Sequence, residues 1–387
     1  MKKILLTILF MSFFYGQSLT IPSGVKIEMS GEVEMEFIDV EGEGGASNED
    51  NFLKKIETRS PHTRIDKAVL DFKMFYSEDI SYRISFNFND GEGFADKHYL
   101  LYNKDDTRIE IGKNRPAVAL KRITEGYPLI GTAYWKGREY HVDYERSLSN
   151  FKFGSSIALK RPLGYDDAVE DKSFRMLVYD DAEKVDGQTI EYGVRGSMDL
   201  GNFNIMGWYY AGKLIDDEDW KKRLHYDFDY YATIEPDNVL SENANIDHYW
   251  FGVRAEYSIF NTLLRGEYIQ SEDGFLPRSG YYVQASRKIN NKRLKSPLTL
   301  LVRYGELWID RGGEIFSPLL KDPHTWDRNL LTLAAIYNIT DYAKIKFEYY
   351  VLGEETGDTM DDADAQNRIY QPSVDDNQML VQLELNF

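Results

Sequence analysis

Arg83, Arg195, Arg254 and Arg303 each fall near the middle of a segment of alternating apolar and polar residues. Lys113, Arg115, Lys121 and Arg122 crowd into the short stretch 113–122. Guanidinium forks match the paired oxygens of phosphate and carboxylate, and ammonium groups add positive charge without a fixed geometry. A set of this kind suits the recognition or passage of anions. The same segments carry Glu32, Glu34, Asp71, Glu110, Asp143, Glu191, Glu256, Glu267 and Glu348 in the same phase. Those carboxylates offer a second arrangement, in which the arginines pair across neighbouring strands and neutralise one another's field. The residue pattern accommodates both.

Other chemistry has no comparable signature. The six histidines are dispersed, with no His-Glu-x-x-His and no metal-ligand spacing. His141 stands among Glu139, Asp143 and Glu145 and reads as a polar wall residue rather than a catalytic base. No Gly-x-Ser-x-Gly elbow and no glycine-rich phosphate loop occurs, so the sequence predicts neither an enzyme nor a bound cofactor. Asp358, Asp361, Asp362 and Asp364 lack the Asp-x-Asp-x-Asp-Gly order of a calcium loop and read as a solvated acidic loop. A formal net charge of −18 speaks against nucleic-acid partners, which require basic patches.

The elements that must position these residues are strands. Residues 24–40 read GVKIEMSGEVEMEFIDV: Val25, Ile27, Met29, Gly31, Val33, Met35 and Phe37 alternate with Lys26, Glu28, Ser30, Glu32, Glu34 and Glu36. Successive side chains of a strand point to opposite faces, so one face is apolar and the other charged over an unusual length. The pattern recurs at Ala68–Tyr76, Tyr82–Phe88, 97–113, Tyr140–Tyr144, Phe151–Leu159, Ile190–Met198, Phe203–Tyr209, Tyr249–Tyr257, Leu264–Tyr268, Tyr281–Ala285, Leu298–Tyr304, Leu331–Tyr337, Ile345–Val351 and Met379–Phe387. With 97–113 read as two strands this makes sixteen, each near the ~9–11 residues of a tilted membrane-crossing strand. FRMLVY (174–179) is the one segment that complicates the count.

Seven connections are short. Eight are generally longer: 39–65, 90–96, 114–138, 161–188, 211–247, 271–279, 307–328 and 352–376. Strict alternation of the two kinds with an even strand count predicts a closed, antiparallel, sixteen-stranded transmembrane β-barrel, with short periplasmic turns and long extracellular loops. Alternation places lipid outside and water inside, so Lys73, Arg83, Arg108, Lys152, Arg195, Arg254, Arg265, Arg303, Lys344 and Lys346 face the lumen. Tyr209, Tyr249, Trp250 and Trp308 near strand ends fit an interfacial girdle.

The export signals agree. MKKILLTILFMSFFYGQS (1–18) has two lysines, an apolar run and a small-x-small ending, the order of a secretory signal peptide, leaving 19–387 as the barrel domain. There is no cysteine, so the exported chain folds without disulfides. Mean hydropathy is only −0.49 although 14% of residues are aromatic, a combination that half-wet barrel strands produce. The last strand ends on Phe387 with apolar residues at every second place back to Met379. It resembles the C-terminal signal by which the barrel-assembly machinery recognises outer-membrane proteins.

The stretches RIDKAVLDFKMFYSEDISYRISFNFND (64–90), TRIEIGKNRPAVALKRITEG (107–126) and NLLTLAAIYNITDYAKIKFEYY (329–350) together resemble the phosphate-selective porin O/P family of Gram-negative outer membranes, with Asn114-Arg115 standing where that family has Gln-Phe. The resemblance implies a homotrimeric porin among outer-membrane lipid and lipopolysaccharide, with 114–138 folded inward as a constriction loop. It further implies a passive channel for small hydrophilic solutes with an anion or phosphate preference, in which Lys113, Arg115, Lys121 and Arg122 line the narrowest point. The alternative is a structural or adhesive barrel whose acidic loops bind and whose lumen passes nothing.

Overall fold

The computed structural model describes residues 24–42, 61–89, 92–162, 178–179, 189–213, 247–273, 276–290, 296–309, 327–355 and 373–387. The signal segment 1–18 and the acidic runs 216–219 and 358–364 lie outside these residues.

The strands are β1 (Lys26–Gly42), β2 (His62–Phe75), β3 (Ile80–Asn89), β4 (Glu92–Lys104), β5 (Thr107–Asn114), β6 (Glu139–Leu148), β7 (Phe151–Pro162), β8 (Val178–Tyr179) and β9 (Thr189–Asp199). They continue as β10 (Phe203–Lys213), β11 (Asp247–Ile259), β12 (Thr262–Asp273), β13 (Leu276–Ile289), β14 (Leu298–Ile309), β15 (Asp327–Asn338), β16 (Ala343–Glu355) and β17 (Ser373–Asn386). Each long strand pairs antiparallel with its neighbours in sequence, and β17 returns to β1, so the sheet closes. Within the ambiguous 174–179 segment the described residues Val178 and Tyr179 form β8, which pairs with the end of β7 at Pro162 and Arg161, while β7 itself pairs directly with β9. The barrel therefore has sixteen strands, and closure leaves no edge to aggregate.

Alternation decides which face is which. Val142, Phe153, Ile157, Tyr192, Val194, Val253, Val283, Val302, Leu333 and Phe347 are all exposed, whereas Asp143, Glu191, Arg195, Arg254, Arg303 and Glu348, in the opposite phase, are buried. An apolar exterior around a charged interior is the inverse of a soluble fold and the expected one for a barrel solvated by lipid.

Two connections depart from the sequence reading. β3 runs to Asn89 and β4 starts at Glu92, and β12 runs to Asp273 with β13 starting at Leu276, so the expected loops 90–96 and 271–279 shrink to 90–91 and 274–275. The ladder continues there through Gly93 to Ala95 against Phe86 to Phe88, and through Leu276 to Ser279 against Gln270 to Asp273. The short turns instead use local geometry. Phe260 and Asn261 both adopt positive φ (49° and 53°), the arrangement that matches a two-residue turn to the twist of its flanking strands.

Closure is secured at the short-turn rim. Gly31 and Phe387 exchange both backbone hydrogen bonds (2.9 and 3.1 Å). A Cβ on Gly31 would lie 2.1 Å from the Phe387 ring, so glycine is what allows the terminal ring to lie over β1. Gly31→Leu is expected to displace that ring and destabilise the closed barrel by about 1–3 kcal/mol. A lowered unfolding midpoint in urea with detergent-solubilised protein checks this, and an unchanged midpoint contradicts it.

Candidate functional site

The segment between β5 and β6 leaves the wall and packs against the inside of the barrel. Gly112 (φ 139°) bends the end of β5: a Cβ there would meet the His98 carbonyl at 2.3 Å. Pro116 has no N–H with which to prolong the ladder, and a turn follows, with Ala119 N–H donating to Pro116 O at 2.8 Å. Pro128 then precedes a short helix, α1 (Leu129–Tyr134), whose Thr132 N–H donates to Pro128 O at 3.0 Å.

One end of this segment is dry. Val118, Tyr127, Leu129, Ile130, Ala133, Tyr134 and Trp135 form one buried cluster with Trp208 and Tyr210 of β10, Trp250 of β11, Ile269 of β12, Tyr282 of β13 and Leu307 of β14. Trp250 stacks on Tyr210 with ring centroids 4.4 Å apart, and Tyr134 stacks on Trp250 at 6.0 Å. Glu267 ties this end together: it accepts from Trp135 Nε1 (2.8 Å), Arg254 Nε (2.6 Å) and Tyr282 OH (3.1 Å). Arg254 also donates to Val118 O (2.7 Å), its guanidinium lying 5.3 Å from the Trp208 ring.

The other end is polar. Arg122 bridges Glu125 of its own segment to Glu34 of β1. Gln382 of β17 donates to both Glu125 Oε2 and Glu36 Oε1 at 2.6 Å. The backbone is held separately: Glu125 N–H donates to Glu348 (2.8 Å), Gly126 N–H to Tyr350 OH (2.7 Å), and Arg303 Nη2 to Gly126 O (2.6 Å) and Thr124 Oγ1 (3.1 Å). The segment thus spans from β10–β14 to β1, β16 and β17.

This arrangement sorts the eight basic residues singled out in the sequence. Arg195 is spent on a bidentate pair with Asp143 (2.5 and 2.9 Å) and a further bond to Glu145 (2.9 Å). Arg254 and Arg303 are buried braces of the 115–138 segment. Arg83 pairs with Asp71 at 2.8 Å but keeps contact with the central cavity. Lys113 is a correction. It is still in β5 and shares the outward phase of Ile109 and Ile111, opposite His98 and Tyr140, with its ammonium 5.8 Å from the Tyr140 ring. It is buried and does not line the central cavity. Trp250 is corrected in the other direction: it lies out of phase with Tyr249 and Phe251 and is wholly buried inside, whereas Tyr209 and Tyr249 stack on the outer face at 6.3 Å.

Arg115, Lys121 and Arg122 border a cavity of about 1540 Å³ that reaches the short-turn rim at Asn202, Ser258 and Asn386. Among the described residues its charged side chains are Lys67, Arg83, Lys97, Arg115, Lys121, Arg122, Lys136, Arg138, Lys288, Lys344 and Lys346 against Glu32, Glu34, Asp66, Asp71, Asp96, Glu125 and Glu384, a surplus of four positive charges. Lys121 is exposed there with no carboxylate partner among the described residues. Arg115 donates through Nε to Lys136 O (2.8 Å) and lies over the Tyr127 ring at 5.1 Å, with no carboxylate partner among the described residues. His141 donates to or accepts from Glu110 (3.1 Å) in the buried wall, away from this cavity.

No family model matches the sequence, and no curated protein matches it. Solved structures do match in fold. Salmonella typhi OmpF in complex with daunomycin is 13% identical with a TM-score of 0.58, covering 94% of this chain and 98% of that one. The outer membrane channel DcaP of Acinetobacter baumannii is also 13% identical with a TM-score of 0.58, over 96% and 99%. A trimer form of OmpT, an outer membrane protein of Vibrio cholerae, is 12% identical with a TM-score of 0.55, over 94% and 99%. At such identities the likeness is one of fold: a sixteen-stranded antiparallel barrel of the outer-membrane porin type.

Proposed function

We propose that this protein is an outer-membrane porin, a passive aqueous channel for small hydrophilic solutes with a mild preference for anions, and neither an enzyme nor a cofactor binder. The observation that carries the reading is a cavity with four surplus positive charges inside a chain whose formal net charge is −18. A permeating ion responds chiefly to charges within a Debye length, about 8–10 Å at physiological salt, so the wall it passes outweighs the distant remainder of the chain. The segment 115–138 acts as the constriction loop, with Arg115 and Lys121 as the cations that meet solute. Arg83 and Arg122 contribute less, each being paired with carboxylate.

Membership of the phosphate-selective porin O/P family rests on the three resembling stretches, and the matching porin-type barrels support it at the level of fold. The exposed apolar belt fits insertion among outer-membrane lipid and lipopolysaccharide, Phe387 fits delivery by the barrel-assembly machinery, and a homotrimer is the assembly we expect. Liposome swelling with neutral sugars of graded size tests the passage. Swelling that falls with sugar size is expected, and its complete absence favours a closed, adhesive barrel.

A further inference from the structure

The mount of Glu125 separates its carboxylate from its backbone. The backbone N–H groups of Glu125 and Gly126 are fixed by Glu348 and Tyr350 of β16, and the Gly126 carbonyl by Arg303 of β14. The carboxylate instead borders the cavity, between Arg122 and Gln382. A carboxylate oxygen of Glu125 lies within 4.8 Å of one from Glu34 of β1 and one from Asp66 of β2, so three acids crowd one corner of the passage.

We propose that Glu125 is a selectivity-determining residue that senses protons: taking up a proton there adds one positive charge to the passage while the loop stays seated. The inference rests on the reading of the cavity as a passage. Crowded carboxylates disfavour being charged together, and one of them holds a proton most readily. Burial, together with Asp66, Glu34 and Glu36, pushes the Glu125 carboxyl up to about 7, against the pull of Arg122. The other charged groups facing this corner are already committed. Lys67 of β2 pairs with Glu32 and approaches Glu34 at 3.5 Å, Arg64 bridges Glu36 and Asp66, and Lys346 of β16 pairs with Glu384 of β17. Arg122 retains Glu34 when Glu125 is neutral, and the backbone tethers do not involve the Glu125 side chain. Titration should therefore alter the field and leave the geometry in place.

The test is the anion-to-cation permeability ratio, from reversal potentials in a KCl gradient across planar bilayers between pH 8.5 and 5.5. The wild-type ratio should rise about two-fold on acidification, as expected for one charge acting over roughly a Debye length, with a midpoint near 7. Glu125→Gln should hold the acidic value at every pH, and Asp66→Asn should keep the transition. A transition surviving in Glu125→Gln, or lost only in Asp66→Asn, overturns the proposal, as does acid closure with loss of conductance in place of a shift in ratio. A channel that prefers cations at all pH yet still moves toward anions on acidification contradicts the anion reading alone. Infrared difference spectra, wild type minus Glu125→Gln, read the same titration without conduction. A protonated-carboxyl band growing in through the same midpoint supports the proposal, and no such band overturns it.

Discussion

Arg254→Ala is expected to destabilise the barrel interior by about 3–5 kcal/mol and to unseat the 115–138 segment, the largest effect of any single substitution considered. The cost follows from what is left behind. Glu267 is almost fully buried and loses its charged partner, retaining only Trp135 Nε1 and Tyr282 OH. Removing one member of a buried ion pair strands the other charge where water cannot reach it. The guanidinium also fills the space beside the Trp208 and Trp135 rings, so its loss removes packing as well as charge. Freed from the wall, the segment should fluctuate in the lumen. Single-channel records should show noisier, more variable conductance, and the unfolding midpoint in denaturant should fall. The double variant Arg254→Met, Glu267→Gln separates the causes: removing both charges together should recover most of the stability. Equal losses in the single and double variants contradict an ionic origin.

The second large effect concerns charge. Lys121→Glu combined with Arg115→Gln lowers the cavity surplus from four to one among the described residues. If each charge alters the ratio about two-fold, the anion-to-cation permeability ratio should fall roughly five- to ten-fold. Among the described residues Lys121 has no carboxylate partner, and the contacts of Arg115 are a carbonyl and a ring. Stability should therefore change little. Arg195→Gln is the matching control. Its charge is consumed by Asp143 and Glu145, and it does not border the cavity, so it should affect folding more than selectivity.

Much of this architecture is legible in the residues, because a membrane barrel writes its two solvents into alternate positions. The outward phase of Val142, Ile157, Val194 and Val302 follows directly from parity. Parity also contains the two corrections. Lys113 continues the odd phase of Ile109 and Ile111, and Trp250 breaks the odd phase of Tyr249, Phe251 and Val253. Trp208, Tyr210 and Trp250 are apolar residues in the wet phase, and that mismatch marks the platform on which the loop rests. What parity does not carry is partnership. Whether Arg195 meets solute or Asp143 depends on the register between strands and on the reach of its side chain across β7. The proximity of Glu125 to Glu34 and Asp66 depends on how far the loop folds back. Those are three-dimensional facts, and they divide the basic residues into braces and residues that border the cavity.

The most direct measurement is the sign of the reversal potential of purified wild-type protein in a planar bilayer under a KCl gradient at pH 7. Discrete conductance steps with a reversal potential displaced toward the chloride equilibrium value, and a displacement that collapses in Lys121→Glu, Arg115→Gln, are the predicted result. An absence of steps, or a cation-selective potential unchanged by those substitutions, would contradict it.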